Sequence, residues 1–591
     1  MRPPRSRLGR SVLARPVLAL LSLAVLASSP LGAQPRAAAP AGPVTLAVVN
    51  ARVWTGAARR PWADAVVVRG DRLALVGGSA EARKLAASAP SARVVDARGA
   101  MLVPGFTDAH VHFVDGGFRL SGVQLRDART PQEFAARIQA FAATVPKGTW
   151  ILGGDWDHER WGGALPERAW IDALVPDHPV FVSRLDGHMA LANARALAIA
   201  GVTRGARDVE GGTIGRDAAG ELTGLLRDNA MELVWRAVPP APEALADRAL
   251  DAAMRHVAEQ GVTAVQAMGS WADLAVYERA WRAGRLRTRV SAHVPLDTWT
   301  RLRDTVQAWT AAGQPRHGRL VGDAWLRIGG LKGFIDGSLG SHTAAMLAPF
   351  TDAPQDRGLY VTPPESLLAW TRGADAAGLQ VAVHAIGDAA NRTMLDGFAR
   401  VLATNGGAAR ERRWRIEHAQ HLDAADVPRF AALGVIASMQ PYHAIDDGRW
   451  AERVIGPERA RLTYAFRALL DAGATVAFGS DWFVAPPTPL EGIYAAVTRR
   501  TLDGAHPGGW VPAQRISVEE ALRGYTSAGA YASFDDAQRG TLERGKLADF
   551  VLIDRDLTRV PPETLRDARV LLTVVGGRVV YERAPTAAST P

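Results

Sequence analysis

The chain contains no cysteine among its 591 residues. This absence excludes a thiol nucleophile and a disulfide framework, and any transition metal must be held by nitrogen and oxygen ligands. The chain also lacks the Gly-x-Ser-x-Gly turn of serine hydrolases and the Gly-x-x-x-x-Gly-Lys-Ser/Thr loop of nucleotide-binding proteins. Beyond residue 33, no run is long and apolar enough to span a bilayer, and no basic tract interleaved with aromatic residues indicates nucleic-acid binding. Nucleic acid is therefore not an expected partner, and the expected partner is a small-molecule substrate.

The N-terminus has the pattern of a secretory signal over residues 1–33. Five arginines precede an apolar run from Val17 to Ala27, and Leu31-Gly32-Ala33 offers a small-residue cleavage site. An uncleaved membrane anchor is the alternative, although the run is short for a bilayer span. We predict a bacterial periplasmic or secreted protein without stable membrane insertion after cleavage, with a linker at 34–43 and a disordered tail at 585–591.

Both ends of the remaining chain are rich in β-forming residues. Short runs such as Leu46–Val53, Ala65–Arg69 and Val570–Val575 are separated by glycine and aspartate. This spacing is typical of hairpins in a small sheet. The sequence predicts one β-sandwich domain built from residues 44–100 together with residues 540–584.

Between these ends, β-like runs alternate with helical stretches. Eight such runs with intervening helices predict an α/β fold, a (β/α)8 TIM barrel over residues 101–539, with its chemistry at the C-terminal strand ends. Residues 114–245 do not fit the repeat and are predicted to be a long insertion after the first strand. The predicted strands are Met101–Phe106, Thr263–Met268, Arg289–Val294, Trp325–Ile335, Gln380–His384, Trp414–His418, Gly434–Met439 and Thr475–Gly479.

Two histidines stand two residues apart in the segment Asp108-Ala109-His110-Val111-His112. Because side chains alternate along a strand, His110 and His112 would point to the same face, where they could bind one metal ion. A histidine pair without a metal is equally compatible with this segment alone. Barrel closure brings strand ends together, so other polar strand ends are expected to join the pair in one site. These strand-end residues are Lys332, His384, His418 and Asp481.

The arrangement of these residues resembles that of the metal-dependent amidohydrolase superfamily. Longer segments narrow the resemblance to its amidohydrolase-3, YtcJ-like branch, which includes N-substituted formamide deformylases. The resemblance covers nearly the whole mature chain, and it is specific for the superfamily but much less specific for the substrate. The segments are Lys332-Gly333-Phe334-Ile335-Asp336-Gly337-Ser338-Leu339-Gly340-Ser341, His384-Ala385-Ile386-Gly387-Asp388, Met439-Gln440-Pro441-Tyr442-His443, and Gly479-Ser480-Asp481 followed by Pro489-Leu490.

The resemblance implies a divalent metal cofactor, and zinc is the expected ion. It implies that His110 and His112 bind a buried metal ion. A second ion would be bound by His384 and His418, and Asp481 would contact the first ion and handle protons.

Lys332 is the unusual member of this set, because a protonated ammonium repels a cation. In the family that the chain resembles, such a lysine is carboxylated by CO2 and bridges two metal ions, so N6-carboxylysine is expected here. The alternative is an ordinary lysine, paired with Asp336 or with a substrate carboxylate, in a site with one metal ion.

These ligands imply hydrolysis. Water bound to the metal would ionise near neutral pH, and the metal would polarise the carbonyl group under attack. Asp481 is expected to act as a general base toward this water and then as a general acid toward the leaving nitrogen. The predicted function is an exported amidohydrolase that cleaves a non-peptide C–N bond in an N-acyl or N-formyl amide. The alternatives are a cyclic amide or ester hydrolase with the same site, and a non-catalytic exported metal-containing binding protein.

Three side chains outside the ligand set are candidates for substrate binding, namely His188, Gln440 and His443. For the two histidines, a contact to the oxyanion and a structural role are both compatible with the sequence. Asp108 is expected to support His110 as a hydrogen-bond acceptor. The sequence leaves the oligomeric state open, a homo-oligomer included.

Overall fold

The computed structural model describes residues 42–584. The predicted leader at 1–33, most of the predicted linker at 34–43 and the predicted tail at 585–591 lie outside these residues. Within residues 42–584, no helix is both long enough and apolar enough to cross a membrane.

The two ends of the described chain form two sheets with a shared apolar core. Leu46, Leu102 and Phe550 belong to this core. The run Leu46–Val53 is not one strand, because the chain turns at Asn50 with a positive φ of 55° and continues into the other sheet. In order across each sheet, the strands are Arg72–Gly77, Ala65–Arg69, Val44–Val49 and Arg93–Asp96 in the first, and Arg578–Glu582, Val570–Val575, Phe550–Ile553, Met101–Pro104, Arg52–Trp54 and Trp62–Ala63 in the second.

Eight parallel strands form the central sheet of the molecule, in sequential order. They confirm the expected TIM barrel, with an additional sheet domain beside it. Lengths of four to nine residues and almost complete burial agree with a sheet that is covered by helices. The strands are β1 (Phe106–Val111), β2 (Val262–Met268), β3 (Arg289–Pro295), β4 (Leu326–Phe334), β5 (Gln380–Ala385), β6 (Arg415–His418), β7 (Ile436–Met439) and β8 (Thr475–Phe478).

The assignment of Met101–Phe106 as the first barrel strand is wrong. Met101–Pro104 pairs with Arg52–Trp54 and Phe550–Ile553 in the end-domain sheet. The barrel begins at Phe106, beyond the Pro-Gly break, and β1 continues to Val111. Both strands are fully buried, and the sequence does not show that they pair in different sheets.

A helix precedes each of the strands β2 to β8 and packs its apolar face on the barrel. In the helix before β2, Leu250, Met254 and Val257 recur at helical spacing and are buried. The helix before β3 begins at a capping box between Ser270 and Asp273. These helices are Glu243–Glu259, Trp271–Arg282, Trp299–Ala311, Pro364–Ala376, Asp388–Asn405, Val427–Ala432 and Phe466–Asp471, and Val518–Arg523 follows β8.

The chain after β1 forms a mixed six-stranded sheet before it returns to the barrel. One face of this sheet packs on an aromatic cluster that contains Phe134 and the fully buried Trp156. The other face contributes Phe181 and Leu226 to a second core. In order, the strands are Gly212–Arg216, Leu222–Asp228, Met189–Ala192, Val180–Arg184, Ile151–Trp156 and Val123–Gln124, and the helices include Phe113–Arg119, Pro131–Ala142, Ala194–Ala200 and Glu232–Trp235.

Candidate metal centre and active site

Barrel closure brings β8 and β1 together at the C-terminal ends of the strands. The Asp481 N–H donates to the His110 carbonyl oxygen at 2.7 Å, and the His112 N–H donates to the Trp482 carbonyl oxygen at 2.7 Å. These backbone bonds place the Asp481 carboxylate beside His110, near the end of β1, and beside His112, the first residue after the strand.

The side chains at this closure converge on one point. Asp481 Oδ1 lies 3.3 Å from His110 Nε2 and 3.3 Å from His112 Nε2. One ligand atom from each of His110, His418 and Asp481 lies within 4.8 Å of the others. Asp481 Oδ1 is buried without a hydrogen-bond partner. Imidazole nitrogens around an unpaired carboxylate oxygen fit a divalent cation, and zinc accepts this donor set.

His384 and His418 lie side by side, with ring centroids 4.5 Å apart. The His384 Nε2–H donates to the Gly337 carbonyl oxygen at 2.9 Å, which leaves Nδ1 free to bind a metal. The His418 Nδ1–H donates to Gln440 Oε1 at 2.8 Å, which leaves Nε2 free. Gln440 was expected to contact substrate, but it is fully buried and instead fixes the orientation of His418.

A buried carboxylate orients the first histidine. Glu417 Oε2 lies 2.6 Å from His110 Nδ1, and Arg415 Nε lies 2.7 Å from Glu417 Oε1, with all three side chains fully buried. Burial alone would raise the pKa of Glu417, but the charges of Arg415 and His110 hold it well below its ordinary value. Asp108 was expected to support the His110 ring. It accepts instead from the backbone N–H groups of His110 and Ser480, at 3.2 and 2.9 Å.

Lys332 reaches the same site from β4. Its Nζ lies 3.3 Å from His110 Nε2, and burial lowers its pKa to about 8. Pairing of Lys332 with Asp336 is wrong. The Asp336 carboxylate accepts from three backbone N–H groups at 2.8 to 3.0 Å, those of Ala345, Ile386 and Gly387.

His384, His418 and Asp481 line two cavities, with volumes of about 50 and 280 Å³, and His112 and Lys332 also line a third cavity of about 610 Å³. His443 lines the smaller cavity, and its Nε2 is buried without a hydrogen-bond partner. His188 comes from the insertion and lines both cavities. Burial opposes protonation of His188, but its hydrogen bond to Asp228 and the charge of that carboxylate raise its pKa.

Strained backbone marks this region. His418, Asp481 and Asp228 have φ values of 73°, 60° and 46°, in the range that side chains other than glycine rarely adopt. Such strain persists where the surrounding structure enforces it, and it clusters at functional sites.

The sequence did not lead us to predict Glu417, Arg415 and Asp228 as residues of the site. A signal existed for two of them, since Arg415 and Glu417 alternate on one face of a short buried strand, where charges need partners. The partner of Glu417 lies 307 residues away along the chain, so the pairing itself could not be predicted.

We expect Gly479→Ala to disturb the closure. A Cβ at Gly479 would lie 2.5 Å from the His110 nitrogen and 2.9 Å from Asp108 Oδ1, so β8 would have to move away from β1. Overpacking of this kind destabilises by about 1–3 kcal/mol. Thermal unfolding should show a lower Tm for Gly479→Ala, whereas Gly508→Ala, with no neighbour within 4 Å, should leave the Tm unchanged. Equal Tm values would contradict this account of the closure.

The barrel and the convergent imidazole and carboxylate ligands define a metal-dependent hydrolase. Comparisons with known proteins support this class. The sequence matches the profile of the Amidohydrolase family over residues 93–581. The chain therefore belongs to the amidohydrolase family, as its motifs indicated. This membership confirms the expected enzyme class, a hydrolase of carbon–nitrogen bonds other than peptide bonds.

Individual relatives span almost the whole chain. Protein LONG AFTER FAR-RED 3 of Arabidopsis thaliana is 40% identical over 550 residues, which cover 91% of each chain. The N-substituted formamide deformylase of Arthrobacter pascens is 30% identical, over 91% of this chain and 98% of its own. An uncharacterized metal-dependent hydrolase from Pyrococcus horikoshii OT3 is 28% identical, with a TM-score of 0.69, over 88% of this chain and 99% of its own.

Proposed function

We propose that the protein hydrolyses the C–N bond of an N-acyl or N-formyl amide. The unpaired Asp481 Oδ1, 3.3 Å from two imidazole nitrogens, is the observation that carries this proposal. The relative from Arthrobacter pascens, which is named for N-substituted formamides, supports an acyclic amide as the substrate.

The residues fit a division of roles. A divalent cation, for which we propose zinc, would lower the pKa of water and polarise the substrate carbonyl group. Asp481 takes a proton from the attacking water at a carboxylate oxygen and returns it to the leaving nitrogen. Glu417 holds the Nδ1–H of His110, so that His110 Nε2 stays directed at Asp481.

The two cavities differ in a way that suits such a substrate. The smaller one, of about 50 Å³, suits a compact acyl group such as formyl or acetyl. The larger one, of about 280 Å³, has apolar walls from Trp235, Phe334 and Phe483. An N-substituent with an apolar or aromatic body would be accepted there.

Lys332 is proposed to carry a carboxylate group that bridges two metal ions. Its neutral amine would attack CO2 and lose a proton to give a carbamate, and burial of Lys332 favours the neutral amine. We expect two divalent ions per chain after expression with bicarbonate and zinc, and one ion per chain in Lys332→Gln. Metal analysis checks this, and one ion per chain in the unaltered protein would contradict the bridge.

The proposed reaction is tested with the zinc-loaded protein and a panel of N-formyl, N-acetyl, cyclic amide and ester compounds. We expect the N-formyl and N-acyl compounds to be hydrolysed fastest. Chelation should abolish turnover, and added zinc should restore it. Faster hydrolysis of cyclic amides or esters would overturn the proposed substrate class, and activity that survives complete metal removal would overturn the mechanism.

Export is also proposed, on the basis of the basic and apolar pattern of residues 1–33. Fractionation of producing bacteria should place the protein in the periplasm or the medium, with a mature N-terminus after Ala33. Retention in the membrane fraction with residues 1–33 intact would favour an anchor instead.

A further inference from the structure

The scissile bond would lie at the junction of the two cavities, because the predicted ligands His384, His418 and Asp481 line both of them. Few side chains of residues 42–584 reach both cavities. They are Asp186, His188, His384, His418, Asp481 and Val484.

Among these six, Asp186 already uses both carboxylate oxygens as hydrogen-bond acceptors within the protein. Its Oδ2 accepts from Arg184 Nη1 at 2.6 Å and from Ser341 Oγ at 3.1 Å, and its Oδ1 accepts from the His188 backbone N–H at 3.2 Å. Val484 is apolar. His188 is therefore the polar side chain at the junction that is neither a predicted metal ligand nor fully engaged.

His188 is held by one strong contact. Its Nδ1–H donates to Asp228 Oδ1 at 2.7 Å, and the Asp228 side chain is 1% exposed. The Asp228 N–H donates in turn to the His188 carbonyl oxygen at 3.1 Å. With Nδ1 engaged, the ring keeps Nε2 available toward the cavities.

The loop after β4 packs closely against the His188–Asp228 pair. A Cβ at Gly337, in the loop after β4, would lie 2.8 Å from Asp228 Oδ1. The φ of 46° at Asp228 is unusual for a residue other than glycine. The insertion and the barrel loop therefore hold the His188–Asp228 pair in a single, strained arrangement.

His188 and Asp481 lie at opposite ends of the histidine pair. The His188 ring lies 4.9 Å from the His384 ring, centroid to centroid, and His418 Nδ1 lies 3.9 Å from Asp481 Oδ2. A substrate amide that rests on His384 and His418 would have Asp481 on one side and His188 on the other.

We propose that His188 is a catalytic residue whose Nε2 accepts a hydrogen bond from the N–H of the scissile amide at the junction of the two cavities. Asp228 is its positioning residue, because its carboxylate accepts from Nδ1–H and so fixes the ring. This role rests on the proposed amide hydrolysis. It gives the insertion a direct part in the chemistry.

Two substitutions at position 188 separate the two ring nitrogens. The side-chain amide of His188→Asn can replace the Nδ1 donor to Asp228 but does not reach the place of Nε2, whereas that of His188→Gln does. We expect kcat of His188→Asn to fall about 10-fold or more, with little change in KM, because the lost hydrogen bond is made to the group that reacts. His188→Gln should recover part of that loss, and Asp228→Asn should lose less than His188→Asn.

The measurement uses the zinc-loaded protein and the compound of the panel that the unaltered protein hydrolyses fastest. Metal content and Tm are measured on every variant. His342→Asn is the matched control, since His342 also pairs with an aspartate, Asp352 at 3.0 Å, but lines neither cavity. It should retain full activity.

The outcomes separate this inference from the proposed function. A fall in kcat for His188→Asn at unchanged metal content and Tm, partly restored in His188→Gln, supports it. Unchanged kcat in both variants, or a fall that only follows lost metal or lost stability, overturns it and leaves the amide hydrolysis intact. A zinc-loaded unaltered protein that hydrolyses nothing in the panel overturns the proposed function and this inference with it.

Discussion

Asp481→Asn is expected to lower kcat by about 10³-fold while the fold is retained, because proton transfer by a positioned carboxylate contributes about 10²–10⁴-fold. The substitution keeps the size of the side chain and the backbone bond to the His110 carbonyl oxygen. An amide oxygen, however, does not take a proton from water at neutral pH. The nearby imidazoles hold the pKa of Asp481 well below its ordinary value against the effect of burial, so the carboxylate is ionised at neutral pH.

Steady-state kinetics and the Tm of the zinc-loaded variant check this expectation. Asp471→Asn is the matched control, since Asp471 is an exposed partner of Arg467 and lies outside both cavities. It should behave as the unaltered protein does. A kcat within tenfold of the unaltered value for Asp481→Asn would remove Asp481 from the proton-transfer role.

Glu417→Gln is expected to have the largest effect on stability. The change leaves Arg415 without a charged partner in the barrel interior, where both side chains are fully buried. Breaking a buried pair in this way costs about 3–5 kcal/mol. It also removes the carboxylate that orients His110, and loss of such a partner lowers metal affinity about 10–100-fold.

Chemical unfolding and zinc titration measure the two effects separately. Because Glu417 has a lowered pKa in the folded protein, the stabilisation by its charge is present above the ordinary glutamate pKa and is lost only in strong acid. The comparison therefore belongs at neutral pH. Glu458→Gln, at an exposed pair with Arg461, should change neither quantity. Unchanged stability and zinc affinity in Glu417→Gln would contradict the orienting role.

The barrel and the positions of its polar strand ends followed from the sequence. Hydrophobic runs at regular spacing predict the strands. His384 and His418 lie at or next to the C-terminal ends of β5 and β6, so barrel formation brings both to the same end of the barrel. The boundary at Pro104 did not follow, because Met101–Pro104 and Phe106–Val111 are adjacent buried strands, and only their distant pairing partners show that they belong to different sheets.

The contacts behind the ligands were also beyond the sequence. Gln440 belongs to a motif of the family that the chain resembles, but which atom it faces depends on how β6 and β7 lie side by side. The pairing of His188 with Asp228 depends on the sheet of the insertion, whose strands do not follow the barrel repeat. Local sequence patterns predict the strands and helices, whereas tertiary packing determines which side chains His418 and His188 contact.

X-ray anomalous diffraction from crystals of the zinc-loaded protein would locate the metal ion relative to its predicted ligands. We expect an anomalous peak within about 2.0–2.2 Å of His110 Nε2, His112 Nε2 and an Asp481 carboxylate oxygen. A zinc-loaded protein whose anomalous peaks all lie away from these three side chains would contradict this expectation.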